Sequence, residues 1–162
     1  MNNTTEKPHT PADRLVLLLA TGLGSGYAPK APGTAGSLLA LALAWPLMSL
    51  PLPVYLTVTA LVAVTGTFIA GRAETLLGGK DHKSIVIDEV AGILVTLAAV
   101  PPTWQHLVLG FLLFRLFDIS KPPPCRWAER RFKGGIGVMA DDLMAGVYAA
   151  LVLHLTTRLL DI

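Results

Sequence analysis

Val100-Pro101-Pro102-Thr103 interrupts a run of 25 residues, Val90 to Phe114, that contains no Asp, Glu, Lys or Arg. A proline inside a helix removes a backbone donor and clashes with the preceding turn, so two in succession argue against one straight helix across this run. The run reads instead as two apolar helices, 90–99 and 107–117, folded back on one another. The choice decides the fold. A single crossing would put Asp88 and Glu89 on one side of an apolar layer and Asp141 and Asp142 on the other, whereas a hairpin returns them to the same side.

The same pattern recurs upstream. No charged residue occurs from Ala31 to Gly71, and Leu50-Pro51-Leu52-Pro53 breaks that stretch near its middle. Its limbs, 37–50 and 54–71, would be about 21 and 27 Å long at 1.5 Å per residue, against a hydrocarbon layer of about 30 Å. A third apolar segment, 143–160, follows Asp142, and strand-like alternation is scarce. The expected fold is all-α: a multihelical bundle with short apolar helical hairpins, membrane-embedded or membrane-associated. The shortness of the limbs also allows a compact helical domain sunk into one leaflet. With both proline breaks as turns, the polar stretches 21–38, 72–89 and 115–142 emerge on one face. That face then carries every Lys and Arg except Arg158, and the excess of positive charge marks it as cytoplasmic.

Composition agrees with a membrane setting. Of 162 residues, 52% are hydrophobic and 15% charged, and mean hydropathy is +0.58. The net charge of +2 is mild, and no basic stretch is interleaved with aromatics, so nucleic acid is not an expected partner. The single cysteine, Cys125, excludes an intrachain disulfide. Residues 1–13 are polar and contain Pro8 and Pro11; they read as a flexible tail ahead of one domain at 14–162, and not as a signal peptide.

Five carboxylates, Asp88, Glu89, Asp118, Asp141 and Asp142, stand at the edges of the charge-free segments. A carboxylate against apolar surface is costly unless paired, and so many together suggest a bound divalent cation. Asp88 and Glu89 fall near the N-terminus of a helix, where one acid would suffice to complement the dipole. Arg115, Asp118 and Lys121 recur every three residues on one helical face until Pro122, offering a cation ligand flanked by two phosphate binders. Gly134-Gly135-Ile136-Gly137 leads to Asp141-Asp142, read as opening the last helix. Pro32-Gly33-Thr34-Ala35-Gly36-Ser37 reads as a turn into the first apolar helix, whose free N–H groups and hydroxyls could cradle an oxyanion. Cys125 and Arg131 have the C-x5-R spacing of cysteine-dependent phosphatases, but no glycine lies between them and Glu129 does. His82, His106 and His154 lack ligand spacing; the last two are expected at the far boundary.

These motifs resemble the phosphatidylglycerophosphatase A family of bacterial inner-membrane lipid phosphatases. The likeness rests on Pro32-Gly33-Thr34 with Gly36-Ser37, Ile87-Asp88-Glu89 with Gly92, Phe114-Arg115 with Phe117-Asp118 and Lys121-Pro122, and Gly135 to Gly137 with Asp141-Asp142 and Ala145-Gly146. Family members often carry a proline before the Ile-Val-Ile-Asp-Glu run, where this chain has Asp81-His82-Lys83-Ser84. The resemblance implies a multihelical fold and Mg²⁺-dependent hydrolysis of phosphatidylglycerophosphate to phosphatidylglycerol and phosphate, at the cytoplasmic face of the inner membrane. On this reading Asp88, Glu89, Asp118, Asp141 and Asp142 hold one or two Mg²⁺ ions, or one of them, such as Glu89, acts as general base. Thr34, Ser37, Arg115, Lys121 and Arg126 bind the phosphate of the phospholipid substrate. A cysteine phosphatase using Cys125 and Arg131, and a non-enzymatic scaffold or small transporter, are the rival readings. Nothing in the residues indicates an oligomeric state.

Overall fold

A computed structural model describes residues 10–79, 82–123 and 131–160. Among these residues there are six α-helices and no strand: α1 (Pro11–Ala20), α2 (Pro32–Leu47), α3 (Leu52–Leu77), α4 (Ile87–Thr96), α5 (Trp104–Ser120) and α6 (Gly135–Leu160). A 3₁₀ turn, Ser25–Tyr27, lies between α1 and α2.

Both proline breaks are turns, and they share one end of the bundle. Met48, Leu50, Leu52 and Tyr55 from the first meet Leu97, Ala99 and Val100 from the second around a small cavity of about 110 Å³. The Tyr55 hydroxyl donates to the Leu94 carbonyl at 2.7 Å, tying α3 to the last turn of α4. Thr103 caps α5 by accepting from the His106 N–H. The single-crossing alternative is therefore excluded.

Helix ends differ from expectation where charge or glycine was read as a boundary. α3 runs through Arg72 and Glu74 to Leu77 and stops at Gly78, φ 72°, because a left-handed glycine ends a helix and a charged residue does not. Its 26 residues span about 39 Å, well beyond the limb expected. α2 starts at Pro32, whose missing N–H costs nothing in a first turn, so Pro32-Gly33-Thr34 is helical and not a loop. α6 starts at Gly135, which places Asp141 and Asp142 in its second turn and not at its opening.

The expected tail is also shorter. Thr10 and Asp13 form a capping box, with the Thr10 Oγ1 accepting from the Asp13 N–H at 3.1 Å and the Asp13 carboxylate accepting from the Thr10 N–H at 3.1 Å. Asp13 then pairs with Arg72 at 2.8 Å, fastening α1 to α3. Residues 10–13 are thus folded, and 1–9 lie outside the described residues.

The ten-residue α4 is the hub: it touches α2, α3, α5 and α6 and buries every residue from Glu89 to Leu94. Ile93, Leu94 and Leu97 pack with Phe114 of α5 and with Ala145, Ala149 and Leu153 of α6. Where α4 crosses α6, a Cβ on Gly146 would stand 2.6 Å from the Gly92 carbonyl oxygen, so only glycine permits this approach. The outside is apolar instead of polar: Leu61, Val64 and Phe68 of α3 and Leu151 and Leu155 of α6 are exposed. α3 and α6 are long and apolar enough to cross a membrane, and only 17% of the apolar window of α3 is buried inside the protein. Such a surface is matched to lipid and not to water.

Candidate metal centre

At the end of the bundle opposite the two proline turns, a cavity of about 430 Å³ opens between the first turns of α2, α4 and α6, the last turn of α5 and the C-terminal part of α3. Asp88, Glu89, Asp118, Asp141 and Asp142 all line it. The crossing of α4 and α6 explains how: Asp88 and Glu89 lie one turn before Gly92, and Asp142 lies one turn before Gly146. The close approach at the glycines thus holds the acids of the two helices against each other one turn above. Oxygens of Asp88, Glu89 and Asp142 fall within 4.8 Å of one another, as do those of Asp118, Asp141 and Asp142, so Asp142 belongs to both groups.

The cluster is tight and partly dry. Glu89, Asp141 and Asp142 are buried, and Asp88 and Asp118 partly so. Burial raises Asp88 well above the usual carboxylate range, and the neighbouring Glu89 charge adds to it. Burial likewise pushes Glu89 up to about 7, helped by Asp142 and Asp118. Asp88 Oδ1 and Glu89 Oε2 are buried with no hydrogen-bond partner among the described residues. Two orphaned carboxylate oxygens inside a group of five acids fit a hard divalent cation, which takes oxygen ligands and compensates the charge that burial penalises.

The two basic residues of α5 are placed differently from simple phosphate binders. Arg115 Nη1 pairs with Asp118 at 2.6 Å and approaches Glu89 at 4.0 Å. Lys121 caps α5 with φ 45°, a left-handed conformation costly for a side chain with a Cβ, and from there its Nζ reaches Asp141 at 2.5 Å. Both therefore brace the acids, and of the two only Lys121 lines the cavity. Ser37 is wholly buried, donates to the Gly33 carbonyl at 2.8 Å and accepts from Arg115 Nη1 at 3.5 Å; it holds Arg115 and does not face the cavity. Thr34 is half-buried beside the cavity wall without lining it. Gly33 does line it, and a Cβ there would collide with Glu89 Oε1 and stand 3.2 Å from Arg115 Nη1, so a larger residue would displace these two side chains from their present places.

Arg126 and Cys125 lie outside the described residues, so neither the expected phosphate contact nor the Cys125–Arg131 pairing can be placed; Arg131 is exposed and away from the cavity lining. His82 accepts from the Ser84 N–H at 3.3 Å and does not line the cavity. His106 sits in the first turn of α5 at the opposite end, as expected. Glu74, Lys83 and Phe132 line the cavity without having been singled out in the sequence. Glu74 was hidden by reading Arg72 onward as a polar connection, and Lys83 lay in the very stretch where the chain departs from the family pattern.

The class of protein is an all-α bundle with an apolar exterior, two helices long and apolar enough to cross a membrane, and a carboxylate cluster at one end of its helices. The family model for phosphatidylglycerophosphatase A matches residues 18–157. Two relatives of that name, from Escherichia coli (strain K12) and Haemophilus influenzae, are 44% and 42% identical, over 85% and 83% of this chain and 80% and 84% of their own. A putative phosphatidylinositol-3-phosphatase from Bacteroides thetaiotaomicron is 42% identical over 86% of this chain and 91% of its own. No solved structure matches the chain. The chain belongs to the phosphatidylglycerophosphatase A family and is a phosphatase. That sets aside the scaffold and transporter readings.

Proposed function

We propose that the protein hydrolyses the phosphomonoester of phosphatidylglycerophosphate, giving phosphatidylglycerol and inorganic phosphate, at the cytoplasmic face of a bacterial inner membrane. The observation that carries this reading is the convergence of Asp88, Glu89, Asp118, Asp141 and Asp142 on one cavity of a chain whose curated relatives bear that activity in their names. Phosphatidylglycerol biosynthesis is the pathway in which that reaction belongs. Among the described residues the bias of Lys and Arg, Arg158 excepted, towards the cavity's side supports the cytoplasmic orientation.

Asp88, Asp118, Asp141 and Asp142 would hold Mg²⁺, which when bound supplies charge neutralisation for the phosphate oxygens and acidifies a water. Glu89 is the proposed general base. Its carboxyl is buried against Asp88 and Asp142, and its Oε2 has no hydrogen-bond partner among the described residues, which leaves that oxygen free to take a proton from water. In the balanced step water gives a proton to Glu89 as its oxygen bonds to phosphorus, the bond from phosphorus to the glycerol oxygen breaks, and the glycerol oxygen leaves as the alcohol after taking a proton from solvent, to which Glu89 returns its own. Arg115 and Lys121 hold Asp118 and Asp141 in place and lower the repulsion that an incoming phosphate meets. Gly33 and the first-turn N–H groups of α2 offer donors on the opposite wall. The acyl chains stay against the apolar exterior of the helices.

The test is phosphate release from phosphatidylglycerophosphate in detergent micelles by the wild type and Asp142→Asn, with Mg²⁺ and with chelator. The reading requires release that chelator stops, that Asp142→Asn lowers at least 100-fold, and that Cys125→Ser leaves intact. Loss on Cys125→Ser with indifference to chelator would overturn it in favour of a thiol nucleophile. Phosphatidylinositol 3-phosphate in a parallel arm decides whether the head group named for the Bacteroides relative is preferred.

A further inference from the structure

Among the described residues two lysines line the cavity, and they are committed differently. Lys121 is bound to Asp141, whereas Lys83 makes no ion pair among the described residues and is exposed. The other charged lining groups, Glu74 and the five clustered acids, are all negative. Lys83 also has a fixed base. Its loop is held by the Ile85 N–H donating to the His82 carbonyl at 2.7 Å and by the Val86 N–H donating to the Ala20 carbonyl at 2.8 Å. It therefore stands just ahead of α4, whose first turn carries Asp88 and Glu89, on a backbone anchored to α1.

We propose that Lys83 is a specificity residue that binds the phosphodiester of a lipid carrying both a phosphodiester and a terminal phosphomonoester. This rests on the proposed function. With the monoester at the carboxylate cluster, a phosphate joined to it through a short polyol falls on the cavity wall, where a ring of acids repels it. Among the described residues Lys83 is the uncommitted positive charge on that wall. A lipid with a monoester alone, such as phosphatidic acid, has nothing to offer it. Phosphatidylglycerophosphate and phosphatidylinositol 3-phosphate share the required pair of phosphates, so the chemistry covers both head groups named among the relatives.

The experiment compares wild type, Lys83→Ala and Lys83→Arg on phosphatidylglycerophosphate, phosphatidylinositol 3-phosphate and phosphatidic acid in identical mixed micelles. A charge-assisted contact of this kind is worth about tenfold in binding. Lys83→Ala should therefore cut the wild-type preference for the preferred diphosphorylated lipid over phosphatidic acid about tenfold, through KM and not kcat, and Lys83→Arg should keep it. The arm that loses its preference identifies which of the two lipids Lys83 reads. An unchanged ratio, a loss shared equally by all three lipids, or a loss in kcat alone would overturn the assignment. A wild type that turns over the lipids without preference refutes Lys83's role and leaves the proposed function standing; a wild type that releases no phosphate from any of them refutes the function itself.

Discussion

Gly146→Ala tests whether the crossing of α4 and α6 sets the geometry of the carboxylate cluster. The added Cβ would stand 2.6 Å from the Gly92 carbonyl oxygen and 3.1 Å from the Val95 Cβ, against ordinary contact from 3.4 Å. Neither neighbour can turn aside, because one is backbone and the other is fixed to it. α6 must therefore move off α4 by about 0.8 Å at this point, and Asp142 moves with it relative to Asp88 and Glu89, one turn above. Misplacing catalytic groups on the scale of 1 Å costs on the order of 100-fold in rate, and overpacking of this kind costs about 1–3 kcal/mol in stability. The assay is phosphate release at saturating Mg²⁺, with circular dichroism to establish that the helices persist. Gly66→Ala is the control, since its Cβ would meet the Met139 Cε at 3.1 Å and Ile87 Cγ1 at 3.3 Å, and the thioether end can swing away. It should stay within a few-fold of wild type. A helical Gly146→Ala protein working at the wild-type rate, or an equal loss in Gly66→Ala, would refute the argument that this crossing positions the site.

Three further outcomes are expected. Arg115→Ala should lower phosphate release strongly and Arg115→Lys should recover part of it, because the contacts with Asp118 and Ser37 are both made by Nη1 alone, a role that a lysine ammonium with its three donors can fill in part; a lysine variant as impaired as the alanine one would show that the planar guanidinium itself is required. Mg²⁺ at about 100 times its dissociation constant should stabilise the wild type by about 2.7 kcal/mol, seen as a rise in Tm, and Asp142→Asn should abolish the rise; an equal rise in the variant places the ion elsewhere. Asp13 is held down to about 2 from an ordinary 3.8, first by the hydrogen bond from Arg72 and then by those from Thr10. A depressed carboxyl stabilises the fold above its unfolded value and loses that contribution as pH falls through the folded one. The Tm of Asp13→Asn should therefore lie below that of wild type at pH 5 and converge with it near pH 2, whereas a constant gap would mean that Arg72 does not act through the Asp13 charge.

The architecture was legible because prolines act locally. Pro51, Pro101 and Pro102 stand in the turns and Pro53 in the first turn of α3, where a missing N–H costs nothing, whereas the isolated Pro46 is carried inside α2. The five acids were legible because burial of charge must be compensated. Helix starts were read less well for a related reason. Glycine was taken as a sign of loop before Asp141 and Asp142, yet Gly135 and Gly137 are helical, and Gly135, like Gly146 further on, serves close packing, with a Cβ on Gly135 meeting the backbone of Thr67 and Gly71. Helix propensity disfavours glycine by about 1 kcal/mol, and tertiary contact outweighs it here. The roles of Arg115 and Ser37 were invisible for a different reason: a basic residue beside acids reads equally as a substrate ligand or as their brace, and only the 2.6 Å contact with Asp118 separates the two.

The depth of the cluster follows from the same helices. From Leu52 to Gly71, α3 has no charge over about 30 Å, the thickness of the hydrocarbon layer, and Arg72 and Glu74 follow at once. On α6, running the other way, Asp141 and Asp142 precede the charge-free segment. Both helices thus place their first charged residues at the same end, and Glu74, Asp141 and Asp142 line one cavity. Carboxylates at the middle of the layer would cost several kcal/mol each. Beyond it the cost is met locally, by Arg115 and Lys121. On the proposed function, the phosphate of the lipid substrate lies at that level while its chains remain beside the exposed Leu61, Val64 and Phe68. The acids therefore stand where the scissile bond can reach them without the lipid leaving the bilayer.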